Sequence, residues 1–326
     1  MLQLDLQHPL RSLVGAFAAW KALLLAIAIG SGVGPAYDTS STLTSISISS
    51  PSELAFDVAT KLTRWDAIYY VQAARRGYLF EQEWAFGSGL PTVISFIVEG
   101  NYRPRTANTE ILGWKLTRSI ALASLGFHKS SVLEPLVGVF VSHACHLLSV
   151  LVLYRLGLLL WGNKALSFTA ALLHILSPAG LFLSAPYSES AFSFLSFLAY
   201  LFFAKGVVSD RRTVGHDVSL VAAGMWFGCA STFRSNGVLG GLLFAVELLR
   251  ELSSPPSLAS LRKRLSLIVG GTAVAVGFAT PQLVAYRTFC SNPQLTEQRP
   301  WCSKNLPSIY TFVQESYWLG AYRLVF

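Results

Sequence analysis

Charge is what this sequence has least of. Only 13% of its 326 residues are Asp, Glu, Lys or Arg, about half the share usual in a soluble domain. Hydrophobic residues make up 52%, and the mean hydropathy is +0.49. Those values exclude an ordinary soluble domain and predict an all-α polytopic membrane protein. A net charge of +8 would suggest nucleic acid in a soluble chain. In a membrane protein the placement of Lys and Arg matters more than their sum, so no nucleic-acid partner is expected.

Several motifs are also missing. There is no G-x-x-x-x-G-K-[ST], G-x-G-x-x-G, H-E-x-x-H or G-x-S-x-G, which argues against a nucleotide-driven pump, a Rossmann enzyme, a zinc protease and an α/β-hydrolase. A soluble nucleotide-sugar donor has no obvious home, and a lipid donor fits better. The first apolar stretch, Ser12–Gly34, lacks a signal-peptide cleavage pattern and reads as a retained anchor. The four cysteines include no C-x-x-C. Cys290 and Cys302 share one polar segment and pair if it lies in an oxidising lumen, two unpaired thiols being the alternative. Cys145 and Cys229 sit in apolar runs as buried thiols. His143, Cys145 and His146 in "HACH" lack a further ligand and read as helix packing, so no metal is expected.

What the chain does have is apolar runs near the roughly 20 residues a bilayer requires. Seven qualify or nearly so: Ser12–Gly34, Val132–Leu160, Ala165–Ser184, Ser188–Lys205, Val218–Phe233, Asn236–Leu252 and Leu265–Tyr286. Leu90–Val98 and Ser119–Phe127 add partly embedded candidates. Basic residues collect on the cytoplasmic side, which places "KGVVSDRRTVGHD" and "RELSSPPSLASLRKRLS" there. The opposite, lumenal side then holds the loop after the first helix, the turns near Ser184–Glu189 and Arg234–Gly237, and the segment after Tyr286. The organisation expected is one membrane domain over 1–326: a first helix at 12–34, a large lumenal loop at 35–131 containing amphipathic helices, transmembrane helices over 132–286, and a lumenal segment at 287–326.

Within the large loop, "SSPSELAFDVATKLTRWDAIYYVQAARRGY" predicts one surface helix. Ser50, Pro51 and Glu53 form its start, Gly77 its stop, and Leu54, Val58, Leu62, Trp65 and Tyr69 its apolar face. Asp66 lies three and four residues before Tyr69 and Tyr70, which can shape its surroundings. It is either a general base or a solvated Asp beside Arg64. "SPAGLFLSAPYSES" places Tyr187 and Glu189 at a helix break, which reads either as part of a polar pocket or as a simple hairpin with Glu189 at a helix N-terminus. Arg234 and Asn236 in "FRSNG" lie at another turn, Arg234 either gripping a lipid phosphate or snorkelling. Lys21 interrupts the first run, as a functional intramembrane charge or, in the favoured reading, a snorkelling one.

Five stretches in order, "YDTSSTL", "RWDAIYYVQAARRGYLFEQEWAFG", "SPAGLFLSAPYSES", "FRSNG" and "RPWCSKNLPSIYTFVQESYWLGAYR", give the chain a resemblance to the GPI mannosyltransferase II family in its fungal form. The resemblance implies a GT-C-like bundle of about seven to nine transmembrane helices in the endoplasmic reticulum. It also implies transfer of the second, α1,6-linked mannose from dolichyl phosphate mannose to a GPI precursor glycolipid, with a small accessory membrane subunit as a further partner. By the family's Trp-Asp motif, Asp66 is the expected catalytic residue. Trp65, Tyr69, Glu81, Tyr187, Glu189, Arg234 and Asn236 are the expected substrate-binding residues. Family members continue through further helices, whereas this chain ends at Phe326, so those helices are expected to be absent. A β-linked donor and an α-linked product require inversion by a single displacement. Phosphate leaves without an acid, so one carboxylate suffices, with no metal and no cofactor beyond the lipid-linked donor. A multipass transporter and a non-catalytic membrane subunit are the alternative readings.

Overall fold

The computed structural model describes residues 7–31, 53–99, 132–208, 213–291 and 299–319. Among these there are helices and turns and no strand. The helices are α1 (Pro9–Gly30), α2 (Glu53–Leu62), α3 (Asp66–Arg76), α4 (Gly89–Glu99), α5 (Leu133–Trp161), α6 (Lys164–Ile175), α7 (Glu189–Val207), α8 (Val214–Phe233), α9 (Gly241–Leu252), α10 (Leu258–Phe289) and α11 (Ile309–Val313). Four of them, α1, α5, α7 and α10, are long and apolar enough to cross a bilayer. The chain is an all-α, multi-pass membrane protein. Ser119–Phe127, "YDTSSTL" and the Ser50–Pro51 helix start lie outside the described residues.

Two expected spans are shorter than their apolar runs. The run Ala165–Ser184 is helical only to Ile175, and the run Asn236–Leu252 begins with a 3₁₀ turn, Ser235–Gly240, leaving twelve residues to α9. Twelve residues rise about 18 Å, short of a hydrocarbon core of about 30 Å. Irregular backbone at that depth must be satisfied by protein, and Lys21 does this for the segment after α6. It is 6% exposed and donates to the Gly180 carbonyl (3.4 Å), the Leu183 carbonyl (3.1 Å) and Ser184 Oγ (2.8 Å). Lys21 therefore does not snorkel. Its ammonium turns inward because three acceptors there replace water. Beside it, His146 packs between Phe17 and His174, joining α1, α5 and α6.

At the core of the bundle α7 packs on α5 and α8, and α8 packs on α10. The α8–α10 seam is made by glycine. A Cβ on Gly224 would lie 2.3 Å from Gly270 Cα, and one on Gly277 would lie 2.2 Å from the Gly228 carbonyl oxygen. Gly224 and Gly228 are spaced G-x-x-x-G, the pattern that lets membrane helices touch along their backbones.

One end of the bundle is tied by ions, with Lys263 on Glu247 (2.7 Å) and Glu251 (3.2 Å), and Arg262 on Asp217 (3.1 Å). All of those residues except Glu247, which lies just before on α9, belong to the basic connections read from the sequence. The opposite end collects α2, α3, α4, the segment between α6 and α7, the Arg234 turn and residues 299–319. Cys290 and Cys302 form a disulfide there. Trp301, fully buried next to it, donates from Nε1 to Glu81 Oε1 at 2.8 Å.

Candidate active site

The expected single helix from Ser50 to Gly77 is two helices. α2 ends at Leu62 and α3 begins at Asp66. Between them Trp65 has φ 52° and ψ −125°, and the Ala67 N–H donates to the Arg64 carbonyl at 3.1 Å. Those are the marks of a type II′ turn over Arg64–Ala67, whose first central position favours glycine. Trp65 is the one non-glycine residue with positive φ among the described residues, and holding it there costs about 1 to 3 kcal/mol. The break also ends the proposed apolar stripe, because Leu54 is 60% and Trp65 53% exposed. Asp66 consequently occupies the first turn of a helix rather than its middle.

α3 is held at its far end by two consecutive arginines. Arg75 makes a two-pronged contact with Glu134 of α5 (3.0 and 3.3 Å), and Arg76 makes one with buried Glu83 (2.5 and 3.3 Å). Gly77, at φ 79°, stops the helix as expected. Between these anchors, Ala67, Tyr70 and Ala74 enter a core shared with Leu90 and Ile94 of α4, Val137 of α5 and Ala191 of α7. Asp66 is therefore carried on an element fixed to the bundle.

The segment before α7 meets the start of α3. Tyr187 donates to the Arg64 carbonyl at 3.2 Å, and its oxygen receives the Ala67 and Asp66 N–H groups. Burial first, then the Asp66 charge, push its phenol up to about 12, so it stays a neutral donor. Tyr70 bonds Ser188 Oγ at 2.8 Å. Glu189, next in the chain, pairs with Arg234 at the end of α8. Asp66, Tyr187, Glu189 and Arg234 are thus brought into one group from three separate parts of the chain.

The remaining expected residues fall around or outside that group. Trp65 stacks on Phe182 (centroids 6.2 Å apart, planes 28°), and Tyr69 stacks on Phe86 (4.6 Å, 11°). Asn236 is exposed in the 3₁₀ turn after Arg234. Glu81 lies in a different cluster, bonded to Trp301 with Arg299 at 3.8 Å. Its placement is that of a tie between the 81–86 turn and the disulfide segment. Sequence reasoning passed over Phe182, an apolar residue in an apolar run, and the Tyr70–Ser188 bond; neither leaves a local signal.

Glu83, Glu134, Glu189 and Glu315 at this end all sit in ion pairs, and Glu81 is taken up by Trp301. Asp66 makes no ion pair among the described residues and is exposed. Partial burial, then the nearby Glu189 charge, raise its carboxyl above the ordinary range. A raised carboxyl is a better proton acceptor once ionised, and activity that needs the ionised form falls as pH drops through the raised value. Glu189→Gln removes one cause and leaves the Arg234 charge uncompensated, and both changes lower the Asp66 value. The acidic limb of a kcat/KM–pH profile is therefore expected to move to lower pH in this variant. A limb that stays in place or moves upward would count against Asp66 as the titrating group.

The fold is that of a multi-pass helical membrane protein, with two carboxylates, Asp66 and Glu189, and the Arg234 guanidinium grouped at one end of its bundle, an arrangement suited to a membrane enzyme. The family described as mannosyltransferase (PIG-V) matches residues 19–322, and this chain belongs to that family. A GPI mannosyltransferase 2 of Chaetomium globosum is 45% identical over 338 residues, covering 95% of this chain and 69% of the relative. The protein of that name in Gibberella zeae is 42% identical over 317 residues, covering 95% and 67%. A GPI alpha-1,6-mannosyltransferase 2 of Cricetulus griseus is 30% identical over 282 residues, covering 79% and 51%. The chain spans about two thirds of the length of the two fungal relatives. No solved structure matches it.

Proposed function

We propose that this protein adds the second, α1,6-linked mannose to a GPI precursor glycolipid in the endoplasmic reticulum membrane, from dolichyl phosphate mannose, with the site on the lumenal side. The observation that carries the mechanism is the isolation of Asp66. It is an exposed carboxylate with no cation of its own among the described residues, beside a neutralised Glu189–Arg234 pair. The names of the relatives support the linkage and the acceptor.

In this reading Asp66 takes the proton from the acceptor's 6-hydroxyl as that oxygen attacks the anomeric carbon. The bond from that carbon to the phosphate oxygen breaks on the opposite face, and the product is α-linked. Dolichyl phosphate leaves as an anion, and Arg234 is positioned to receive it. A guanidinium has five N–H donors, and Glu189 engages Nη1. Glu189 aims the guanidinium and holds Asp66 in a more basic state.

Cells blocked at addition of the second GPI mannose provide the test. Expression of this chain should restore a two-mannose precursor, and microsomes from those cells should transfer mannose from dolichyl phosphate mannose. Accumulation of the one-mannose precursor, with the protein present in the membrane, would overturn the reading.

A further inference from the structure

Trp65 is held in a backbone conformation that suits glycine, and its side chain stays half exposed next to Asp66. Its indole is nearly parallel to Phe182, which is 43% exposed. Phe182 in turn rests edge-on against buried Tyr187 (5.2 Å, 81°), and Tyr187 lies against buried Tyr70 (6.2 Å). The two exposed rings are therefore the outer end of a backed aromatic series. They are fixed in position at the rim where Asp66 stands.

We propose that Trp65 and Phe182 form a shelf on which a mannosyl ring rests during transfer. This rests on the mannosyl-transfer reading above and adds the subsite that reading lacks. A π face carries negative charge and attracts the weakly positive C–H groups on the flat side of a pyranose. A β-linked mannosyl phosphate has its H1, H3 and H5 together on one face, an apolar patch that matches an indole in size. The ring rests through its H3 and H5 side with C1 overhanging the rim, so that the side of C1 opposite the phosphate stays open to the acceptor oxygen and to Asp66, the next residue in the chain. Trp65 and Phe182 bind and orient the sugar; the proton is moved by Asp66.

The test uses the full chain in microsomes with dolichyl phosphate mannose and the GPI acceptor varied separately. Trp65→Gly removes the indole and accepts the turn without strain, so the protein should accumulate normally. The KM for one mannosyl-bearing substrate should rise tenfold or more. A rise for the donor assigns the shelf to the transferred sugar; a rise for the acceptor assigns it to the sugar that receives it. Trp65→Phe keeps a π face and should stay within threefold of the unaltered protein. Phe182→Ala, which leaves the turn untouched, should repeat the KM effect if Trp65→Gly lowers protein level. Inhibition by sugarless dolichyl phosphate should be unchanged in all three. Weakened inhibition would overturn the proposal by making the rings a surface for the lipid, as would unchanged KM values or equal losses in the Phe and Gly variants. If the unaltered protein transfers no mannose, it is the functional reading that fails; the shelf fails only where transfer is present and these variants do not alter it.

Discussion

Asp66→Asn is expected to lower mannosyl transfer by a factor of about 100 to 10,000, the range contributed by a positioned general base. The change replaces one carboxylate oxygen with an amide and leaves the side chain's size nearly the same, but an amide does not accept the proton. Structure should survive the change. Asp66 is exposed and makes no ion pair among the described residues, and removing its charge also removes repulsion with Glu189. Membrane levels and detergent melting temperature should therefore match the unaltered protein. Asp66→Glu keeps the acid and displaces it by one methylene, so it should fall between the two, because misplacement of about 1 Å costs on the order of 100-fold. Asp57→Asn is the control, since Asp57 is exposed on α2. Near-normal transfer by Asp66→Asn in microsomes, with protein present, would remove Asp66 from the reaction.

Gly277→Leu should prevent α8 and α10 from closing. Even a methyl at Gly277 would sit 2.2 Å from the Gly228 carbonyl oxygen, and that atom is backbone, so no side chain can turn aside. The helices must separate along the whole seam, exposing Gly224 and Gly270 and loosening the core around Phe227, Phe244 and Val274. Overpacking by a few atoms costs about 1 to 3 kcal/mol, and a Leu side chain exceeds that. Loss of most folded protein is expected, read as steady-state level and detergent melting. Gly277→Ala should be milder but still destabilising. Gly241→Ala provides the opposite sign: a Cβ there lies 3.8 Å from Val274 Cγ1, an ordinary contact, so stability should hold or rise by a few tenths of a kcal/mol. Equal behaviour of Gly277→Ala and Gly241→Ala would mean that the seam is looser than described.

The helical elements were legible because apolar runs and basic loops record them directly. The stop at Gly77 and the Cys290–Cys302 pairing were also accessible, one from local backbone chemistry and the other from shared segment and compartment. The break at Thr63–Trp65 was not. A type II′ turn advertises itself through glycine, and here the position is filled by Trp, while the apolar spacing on either side continues as though the helix did. The early end of α6 was hidden for a related reason: its apolar run continues to Ser184, and only the distant Lys21 makes irregular backbone tolerable there. Glu81 shows the limit for single residues. Its partner Trp301 is 220 positions away, and nothing around Glu81 in the sequence distinguishes a buried tie from a substrate contact. Asp66, Glu189 and Arg234 were each identifiable as polar residues at turns, but their assembly depended on the α3, α7 and α8 ends arriving at one place.

The inward-turned Lys21 also bears on how the chain is made. Its acceptors lie 159 to 163 residues further along, so α1 is synthesised well before anything exists to receive the ammonium. A lysine near the middle of a helix opposes membrane insertion by about 3 kcal/mol, and until Gly180–Ser184 arrives that cost falls on α1 alone. The first helix is thus an incomplete anchor at birth, and becomes a settled one only when the segment preceding α7 has been threaded against it.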